Sequence, residues 1–570
     1  MEKSYLLGIS AGYHDSAAAI VVDGEVKGAV EEERFTGIKH DNSFPINSIN
    51  WLLDEVGIKP SELSAVCYYE DPRKKLDRIE KSLRRGGIKN IFKRGKILER
   101  NRRQYIDFEN DMRNLVGYEV PIIFGDHHYS HAAYAYYTSD FKEASIITVD
   151  GVGEWDTLDL FHAEGNKIVK LEGIDFPSSL GMLYSTFTAF LGFKPLEGEY
   201  KVMGLAPYGD ASVYEEQFKQ LYTLEENNSF SLNMDYFVYD WNEYEMFNKK
   251  LSKLFNISPR LPGDEFTQKH KDIAAGLQQT YEFLFFRLLD RLKALRPTSN
   301  LCVSGGCAYN GTANGKILDK TNFKDVWIPP APSDAGSAIG ACLHYYYTAN
   351  NNTSRKENKV PYLGPYYSDD DVLKVLKYYS DKVYFEKKLD TPLIKEVAEL
   401  IRDGNVVGWF EGKLEFGARA LGNRSILANP RDPDMKARLN RVVKKREGFR
   451  PFAPIVKKSE MTKYFYYPQD VPYMNQVVKV RPEYHEELPS ITHIDGSARI
   501  QTLERTQHRR ISMLLKELES INKYPIVLNT SFNLKDQTMV LDPKSAIETY
   551  LNCDMDVLVI QHYIIKKKIK

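Results

Sequence analysis

The stretch from Gly125 to Gly153 contains residue types that could bind a metal ion. His127 and His131 stand four apart in a run rich in Ala and Tyr, and Asp150 follows a short apolar run rich in β-branched residues. Residues four apart share one face of a helix, so a helix here would direct both imidazoles to one point. Two imidazoles and a carboxylate at a strand end can bind a divalent transition metal and leave positions open for a substrate oxygen. A structural role for the histidine pair is the alternative.

Asp334 could add a second carboxylate to this site. It stands where a helix is predicted to begin, in the sequence PSDAGSAIGA, and an Asp at that position is commonly an N-cap. The sharper hypothesis makes Asp334 a metal ligand opposite Asp150. Gly151 and Gly153 form a predicted turn after Asp150 and are candidates for cofactor contacts.

A nucleotide site is predicted at Gly305, Gly306 and Asn310. The glycines follow a predicted strand over 301–304, and a helix is expected to begin near Asn310. Glycines after a strand let a nucleotide approach the backbone, and a helix N-terminus favours phosphate. Lys201 is a further candidate because the many small residues of its segment suggest a backbone packed close to another group, although an exposed helix lysine is the alternative.

His14 and Asp15 follow the first predicted strand and could supply a general base. An imidazole that is held by a neighbouring carboxylate can accept a proton near a phosphate-binding turn. In the alternative, Asp15 caps a helix or hairpin, and this fits the sequence equally well.

The second half of the chain has a local cluster of cations, although the net charge of the whole chain is −1. Guanidinium forks, a lysine, and amide or hydroxyl donors from separate segments suit a phosphorylated anion together with a triphosphate. A nucleic-acid groove is the competing use, but aromatic interleaving is modest here. A loop over 529–533 follows an apolar strand, where ligands of α/β proteins bind. The candidates are Arg419, Arg424, Lys444, Arg450, Arg499, Asn529, Ser531 and Asn533.

The predicted elements around these residues indicate a duplicated α/β fold. Residues 4–30 are predicted to form two strands and a turn, with a hairpin signal at Asp23-Gly24, and residues 145–170 repeat this pattern. Such an opening is typical of the actin/Hsp70/sugar-kinase nucleotide fold. Two copies about 140 residues apart predict an internal duplication.

An Asn-rich stretch with Pro and Gly predicts a linker over 351–368. It separates a predicted domain over 1–350 from a second α/β domain over 369–570. Residues 71–113 are a predicted basic helical insertion in the first domain, with fourteen Lys or Arg in 71–103. A solvated helical face is the favoured interpretation of this charge. A surface facing an acceptor or RNA is the alternative.

Composition limits the class of protein. With 570 residues, 42% of them hydrophobic, the chain is expected to form two or more globular domains. Its net charge of −1 favours neither nucleic acid nor a membrane as partner. No apolar run reaches the roughly 20 residues of a membrane-spanning helix, and the N-terminus lacks a signal-peptide layout. Five cysteines without a CxxC pair predict free thiols in the cytoplasm.

Ten motifs occur in order along nearly the whole chain: HDSAAAIVVDG, EEERFTGIKHDNSFP, GDHHYSHAAYAYYTS, TVDGVGEW, YKVMGLAPYG, SGGCAYNGTANGKI, PSDAGSAIGA, FGARALGNRSILANPR, VKKREGFRPFAP and LNTSFN. Together they resemble the nodulation-protein-U/cephem O-carbamoyltransferase family. The resemblance implies an N-terminal TsaD-like domain of the actin/Hsp70 type and a C-terminal YrdC-like α/β domain.

The resemblance also implies a reaction in two steps. The YrdC-like domain would convert carbamoyl phosphate and ATP, bound with Mg²⁺, into carbamoyl adenylate and release pyrophosphate. The TsaD-like domain would then transfer the carbamoyl group to a hydroxyl of a small acceptor, a secondary metabolite or a sugar. A divalent metal in this domain would be iron(II), with manganese and zinc as alternatives.

Each candidate residue receives a role from the resemblance. His14, with Asp15 beside it, would deprotonate the acceptor hydroxyl, and Lys444 and Arg419 would act in forming the adenylate. The metal ligands would be His127, His131, Asp150 and Asp334. The nucleotide and carbamoyl phosphate contacts would come from Gly151, Gly153, Lys201, Gly305, Gly306, Asn310, Arg424, Lys444, Arg450, Arg499, Asn529, Ser531 and Asn533.

Two other functions stay open from the sequence. A tRNA threonylcarbamoyl transferase-like enzyme would use the basic residues of 71–103 on RNA. An ATP-dependent sugar kinase would leave the arginine-rich second half without a role. The sequence fixes neither the acceptor nor the choice between a monomer and a homodimer.

Overall fold

The computed structural model describes residues 3–85, 91–349, 355–358 and 361–568. The chain divides into two compact units, the first comprising Met1–Glu32 and Asn42–Lys359 and the second comprising Glu33–Asp41 and Val360–Lys570. Residues 351–354 and 359–360 of the predicted linker lie outside the described residues. So do residues 86–90 of the predicted insertion.

A short segment from the N-terminal half belongs to the second unit. The sequence-based division places all of 1–350 in the first domain, whereas Glu33–Asp41 belong to the second unit. Helix α1 (Glu33–Thr36) begins this segment. Its buried Arg34 donates a hydrogen bond to the main-chain oxygen of Gly417 (3.1 Å), which is 383 positions away in the sequence. A contact this distant along the chain has no local sequence pattern.

The first unit contains two five-stranded sheets and a two-stranded hairpin. Its strands are β1 (Tyr5–Ser10), β2 (Ala17–Val22), β3 (Glu25–Glu31), β4 (Ala65–Tyr68), β5 (Ile122–Phe124), β6 (Glu143–Val149), β7 (Asp156–Glu164), β8 (Lys167–Asp175), β9 (Tyr222–Leu224), β10 (Phe230–Leu232), β11 (Asn300–Ser304) and β12 (Asp325–Trp327).

The two large sheets share one strand order. One sheet has the order β3-β2-β1-β4-β5 and the other β8-β7-β6-β11-β12. In each, the first three strands in sequence are antiparallel neighbours, and the last two run parallel to the first. This repeat confirms the internal duplication that the two hairpin patterns predict.

The first unit also contains helices, several of which pack on these sheets. They are α2 (Ile46–Val56), α3 (Pro72–Arg84), α4 (Ile91–Val116), α5 (His127–Tyr137), α6 (Leu180–Phe190), α7 (Glu199–Leu205), α8 (Glu215–Lys219), α9 (Lys249–Phe255), α10 (Gln268–Leu295), α11 (Gly311–Asn314), α12 (Ile317–Lys320) and α13 (Asp334–Ala349). Short 3₁₀ turns occupy Pro60–Glu62, Ala206–Tyr208, Ala211–Tyr214 and Gly306–Tyr309.

Helices α5 and α13 form a layer between the two large sheets. Helix α13 contacts β1 and β2, α5 contacts β6 and β11, and the two helices contact each other. A Cβ at Gly340 of α13 would lie 1.8 Å from the main-chain oxygen of Ser130 in α5. A glycine at this position therefore permits the close approach that brings the side chains of the two helices together.

The second unit contains an eight-stranded mixed sheet, in the order β13-β23-β22-β14-β15-β21-β16-β20, and a three-stranded sheet, β17-β18-β19. Its strands are β13 (Val383–Lys387), β14 (Val407–Phe410), β15 (Arg424–Ala428), β16 (Ala453–Lys457), β17 (Phe465–Tyr466), β18 (Val477–Val480), β19 (Ser497–Arg499), β20 (Gln501–Leu503), β21 (Ile526–Ser531), β22 (Val557–Ile560) and β23 (Tyr563–Lys567). Its helices, besides α1, are α14 (Asp369–Tyr378), α15 (Asp390–Arg402), α16 (Met435–Arg438), α17 (Met461–Tyr464), α18 (Arg509–Asn522) and α19 (Pro543–Leu551), with a π-helical turn at Leu439–Val443 and 3₁₀ turns at Lys458–Glu460 and Pro482–Tyr484.

Both units are mixed α/β, as the sequence predicts. Among the described residues, no helix is both long enough and apolar enough to cross a membrane.

Candidate active site

Four side chains that the sequence selects as metal ligands converge in the first unit. His127 and His131 lie on α5, Asp150 directly follows β6, and Asp334 begins α13. One ligand atom from each residue lies within 4.8 Å of the other three. Their exposed fractions are 2%, 0%, 8% and 3%, so the four-ligand cluster is withdrawn from bulk water.

The Nε2 atoms of both histidines face the two carboxylates. Nε2 of His131 lies 3.1 Å from Oδ2 of Asp150 and 3.3 Å from Oδ1 of Asp334. Nε2 of His127 lies 3.3 Å from the same Asp150 oxygen, 3.7 Å from the Asp334 oxygen, and 3.2 Å from Nε2 of His131. The four atoms therefore surround one point.

The other nitrogen of each imidazole contacts a residue that the sequence analysis missed. Oγ of Ser337 lies 3.0 Å from Nδ1 of His131, and Oε2 of Glu70 lies 3.6 Å from Nδ1 of His127. Metal-binding histidines commonly have such an orienting partner. Ser337 stands three residues after Asp334, so helical spacing could have indicated it. Glu70 had only the weaker signal of an acid shortly after an apolar strand.

The buried acids control the protonation of the imidazoles. Burial opposes a charge on His127, but Asp150 and Glu70 raise its pKa well above the ordinary value. Burial also opposes a charge on Asp150, yet His127 and His131 hold the pKa of its carboxyl well below the ordinary range. The imidazoles and the acids thus favour each other's charged forms. Two imidazole nitrogens and two carboxylate oxygens are also a donor set for a divalent transition metal, and these residues fit such an ion.

The turn after β6 brings the backbone close to the cluster. A Cβ at Gly153 would lie 2.0 Å from Cδ2 of His127, so a side chain there would displace the imidazole. The main-chain N–H of Gly151 donates to Oδ1 of Asp150 (2.7 Å) and holds that carboxylate. Both glycines shape the cluster, while their contact with a cofactor stays a prediction.

His14 and Asp15 lie in the turn between β1 and β2. Nδ1 of His14 is 3.1 Å from Oδ2 of Asp15, and the ring of Tyr13 packs against that of His14 with centroids 4.7 Å apart. Burial lowers the pKa of His14, but Asp15 and then Asp334 and Asp150 raise it to about 9. The influence of the last two acids indicates that His14 lies near the four-ligand cluster.

Gly305 and Gly306 follow β11, as the sequence predicts. A Cβ at Gly306 would lie 3.0 Å from Oδ1 of Asp150, so this backbone borders the cluster. A nucleotide that contacts these two glycines would therefore lie next to the predicted metal ligands.

Asn310 and Lys201 have contacts within the protein. Asn310 caps α11 by accepting a hydrogen bond from the N–H of Ala313 (3.1 Å), and its side-chain amide pairs with that of Gln278. The ammonium of Lys201 lies 5.4 Å from the centre of the Phe193 ring. Neither residue is among those that converge on the cluster.

Helix α3 of the predicted insertion contacts the surroundings of the cluster. Lys74 pairs with Asp126, the N-cap of α5 (2.8 Å), and with Glu154 in the turn after β6 (3.2 Å). Lys75 pairs with Glu70 (2.8 Å). One side of this helix therefore faces acids near the metal ligands, while the exposed Arg73, Lys81 and Arg84 fit the expected solvated face.

Lys444 is buried in the second unit, where the sequence predicts an anion site. Its ammonium donates to the main-chain oxygen of Ser531, to that of Asn533 (2.9 Å), and to Oδ1 of Asn533 (2.7 Å). Burial, and then nearby Arg446 and Arg450, hold the pKa of Lys444 well below its ordinary value. The site thus contains several cations in a small space.

Arg499 lies near three other guanidinium groups in the same unit. Burial, and then neighbouring Arg419, Arg446 and Arg450, lower the pKa of Arg499 well below its ordinary value. Nε of Arg499 is buried and has no hydrogen-bond partner within the residues that the structure describes. Clustered cations repel each other, and a phosphate-bearing ligand would relieve that repulsion.

Arg424 does not belong to this group of cations. It is fully buried, and its guanidinium donates to the main-chain oxygens of Glu411 (2.6 Å) and Pro365 (3.3 Å). It also lies over the Phe410 ring, 3.6 Å from the centre. Arg424 therefore holds backbone segments together and does not lie among the cations of the predicted anion site.

The predicted loop over 529–533 is partly a strand. Asn529 and Ser531 lie within β21 rather than after it. Asn529 donates to the main-chain oxygen of Ala420 (2.9 Å), and Oγ of Ser531 donates to Oδ1 of Asn533 (2.7 Å). The side chains remain close to Lys444, which contacts both Ser531 and Asn533.

Glu415 is a buried acid that the sequence analysis missed. Its Oε1 accepts hydrogen bonds from the main-chain N–H groups of Leu421 (2.8 Å), Asn423 (2.7 Å) and Arg424 (3.0 Å). It thereby fixes the segment that follows Arg419.

Comparison with known sequence families gives the class of the protein. Residues 5–343 match the family described as Carbamoyltransferase N-terminus, and residues 398–567 match Carbamoyltransferase C-terminus. The chain belongs to the carbamoyltransferase family and is a carbamoyl-group transferase.

Several relatives are similar in sequence to this chain over most of their length. The protein sll1178 of Synechocystis sp. is 38% identical, over 99% of this chain and 97% of that protein. Nodulation protein NolNO of Sinorhizobium fredii is 36% identical, over 97% of this chain and 79% of the relative. Nodulation protein U of Bradyrhizobium diazoefficiens is 28% identical, over 94% and 93%. The resemblance stated from the motifs is confirmed.

Solved structures resemble the chain only distantly. HypF of T. kodakarensis is 11% identical with a TM-score of 0.33, covering 63% of this chain and 49% of that one. A ROK hexokinase from Thermus thermophilus is 13% identical with a TM-score of 0.29, covering 61% and 100%. Neither likeness bears on the function.

Proposed function

We propose that this protein is an ATP-dependent O-carbamoyltransferase with a TsaD-like first unit and a YrdC-like second unit. In the second unit, carbamoyl phosphate, ATP and water give carbamoyl adenylate, pyrophosphate and phosphate. In the first unit, the carbamoyl group moves to a hydroxyl of a small acceptor, and AMP leaves. Family membership supports carbamoyl transfer, and two separate polar sites support a division into two steps.

The cations of the second unit support adenylate formation. Carbamoyl phosphate is a sluggish donor to an alcohol, and a mixed anhydride with AMP has a better leaving group. Lys444, Arg419, Arg450 and Arg499 bind the phosphates of the two substrates, with Mg²⁺ on the ATP. Fixed cations stabilise the charge that develops on phosphate oxygens as their bonds change.

His14 supports the transfer step in the first unit. Its neutral form accepts the proton of the acceptor hydroxyl, and Asp15 orients its ring; such a base contributes about 10²–10⁴-fold. Because the neighbouring acids raise the pKa of His14 to about 9, the neutral form increases as the pH rises toward 9, and transfer should increase with it. A divalent metal held by His127, His131 and the two acids of the cluster, with iron(II) favoured over manganese or zinc, would supply positive charge beside the adenylate phosphate. The backbone at Gly305 and Gly306 approaches the nucleotide.

One observation carries the proposal: four buried metal-type ligands converge near His14 in one unit, while a separate cluster of arginines surrounds Lys444 in the other. A kinase would need only one nucleotide site.

The test uses the full chain with carbamoyl phosphate, ATP, Mg²⁺ and a panel of hydroxylated metabolites. We expect release of pyrophosphate and AMP, together with an acceptor whose mass rises by one carbamoyl group. Formation of ADP and a phosphorylated acceptor would contradict the proposal and indicate a kinase. Requirement for tRNA and threonine would indicate the threonylcarbamoyl alternative.

A further inference from the structure

One face of helix α3 points toward the four-ligand cluster. Lys75 pairs with Glu70 and lies 5.7 Å from the centre of the Tyr13 ring. Lys81 lies 5.3 Å from the centre of the Trp155 ring, in the turn that follows β6. Arg78 stands three residues from each of these lysines, and residues three apart share a helix face. Arg78 is therefore on the side of α3 that faces the site.

The side chain of Arg78 is only partly exposed, and among the described residues it has no acid partner. Its Cζ lies 4.9 Å from the centre of the Phe176 ring, and its Nε is buried without a hydrogen-bond partner. No ion pair of Arg78 occurs within the residues that the structure describes. Burial lowers the pKa of Arg78 to about 10, while Tyr13 and Glu70 oppose this change, so both groups are near it.

Tyr13 connects Arg78 with the cluster. Burial, and then Asp150 and Asp334, raise the pKa of Tyr13, whereas Arg78 lowers it. The guanidinium and both acids of the cluster are thus close enough to influence one hydroxyl. Leaving a buried N–H of a cation without a hydrogen bond is costly, so an arginine with an unpartnered, buried Nε here suits an anionic ligand.

We propose that Arg78 binds the phosphate of the nucleotide from which the carbamoyl group is transferred. This inference rests on the proposed function. In the transfer, the acceptor oxygen forms a bond to the carbamoyl carbon, and its proton goes to His14. The bond between that carbon and the phosphate oxygen breaks, and the electron pair leaves with AMP. The phosphate therefore gains one negative charge, which a guanidinium fork stabilises more strongly than it does the phosphate of the intact donor.

The experiment compares the binding of AMP and adenosine, because the two ligands differ only in the phosphate. Calorimetry is performed with full-length protein that carries Lys444→Ala, which weakens the proposed nucleotide site of the second unit, with Mn²⁺ present. Arg78→Gln and Arg78→Lys are added to this background. Arg84→Gln is the matched control, because Arg84 is exposed on the same helix and pairs with Glu80 one turn earlier (2.7 Å).

We expect Arg78→Gln to weaken AMP binding by about 10–100-fold and to leave adenosine binding unchanged. Arg78→Lys should lose less AMP affinity than Arg78→Gln, because lysine retains the positive charge. It should still bind AMP more weakly than the parent protein, because lysine lacks the planar fork. Arg84→Gln should match the parent protein.

Other outcomes would overturn the inference. Unchanged AMP binding, or an equal loss for AMP and adenosine, would leave Arg78 with a structural role at most. If thermal unfolding shows that Arg78→Gln does not fold, the ratio of AMP to adenosine affinity in folded Arg78→Lys decides the matter. If the parent protein binds neither ligand, use of an adenylate in the first unit fails, and the proposed function fails with it.

Discussion

His14 is the residue whose proposed role is easiest to separate from the other step of the reaction. Its side chain is 22% exposed, and Asp15 holds one nitrogen of the ring at 3.1 Å. The other nitrogen is therefore the one that can meet an acceptor hydroxyl. The proposed adenylate formation in the second unit does not use this imidazole, so its loss should affect only the transfer.

The variant His14→Asn should lower carbamoyl transfer by about 10²–10⁴-fold, because it removes the base but keeps a side chain that can pair with Asp15. Pyrophosphate release that depends on carbamoyl phosphate should stay close to that of the wild type. Both rates are measured in one reaction mixture, by mass spectrometry of the acceptor and by a coupled pyrophosphate assay. An equal loss of both would remove His14 from its proposed role.

The variant Lys444→Ala should block pyrophosphate release, because the ammonium between Ser531 and Asn533 is lost from the anion site. It should also lower the free energy of unfolding by about 1–3 kcal/mol, since buried acceptors lose their donor. Denaturant unfolding and the pyrophosphate assay measure the two effects. Lys445→Ala is the control, because Lys445 is the neighbouring but exposed lysine. Normal pyrophosphate release from folded Lys444→Ala would refute the role of this lysine.

At the scale of elements, the contact between α5 and α13 holds the cluster together. Helix α5 provides both imidazoles, and α13 provides Asp334 and the Ser337 hydroxyl that contacts His131. The two helices can approach closely because Gly340 has no side chain where it meets the backbone of α5.

The variant Gly340→Ala should lower the free energy of unfolding by about 1–3 kcal/mol or more, because the new methyl group would overlap the main-chain oxygen of Ser130. Gly95→Ala should have the opposite sign. Gly95 lies within α4, a Cβ there would meet no atom within 4 Å, and alanine favours a helix interior by about 0.5–1 kcal/mol. Thermal and denaturant unfolding of the two variants, side by side, measure the difference. Equal free energies of unfolding for Gly340→Ala and Gly95→Ala would show that α5 and α13 can move apart at no cost in stability.

Some elements of the site could be predicted because their signals are local. The spacing of His127 and His131 fixes one helix face, and a β-branched run that ends at Asp150 predicts the strand before it. Glu70 was missed because it acts through a contact between segments far apart in the sequence, whereas the helical spacing of Ser337 from Asp334 could have indicated that residue. Arg424 looked like its neighbours in an arginine-rich stretch, and only its burial separates it from them.

At the scale of the whole molecule, repeated hairpins predicted the duplicated sheets, because each copy has its own local pattern of strand and turn. The sequence did not predict that Glu33–Asp41 belong to the second unit, since the hydrogen bond from Arg34 to Gly417 has no local sequence signal. Local periodicity thus determines which elements form, while distant contacts determine the unit to which a segment belongs.

The pH dependence of stability should reveal a buried acid in the core of the first unit. Asp159 of β7 is fully buried and pairs with Lys170 (2.8 Å). Burial, with a further contribution from Asp156, raises the pKa of Asp159 to about 8. Between about pH 4 and pH 8 the folded protein therefore binds this proton more tightly than the unfolded chain does. The resulting stabilisation is complete at low pH and is lost as the pH rises through this window.

The variant Asp159→Asn should remove this dependence, because an amide does not titrate. The difference in free energy of unfolding between Asp159→Asn and the wild type should shift in favour of the variant by about 1–3 kcal/mol between about pH 5 and about pH 8. Any constant difference in stability between the two proteins does not affect this shift. Urea unfolding across this range measures the difference, with the exposed Glu164→Gln on the same strand as control. Parallel curves for Asp159→Asn and the wild type would mean that the carboxyl titrates alike in the folded and unfolded chain. In that case Lys170 would offset the effect of burial on Asp159, and the acid would be charged in the folded core at neutral pH.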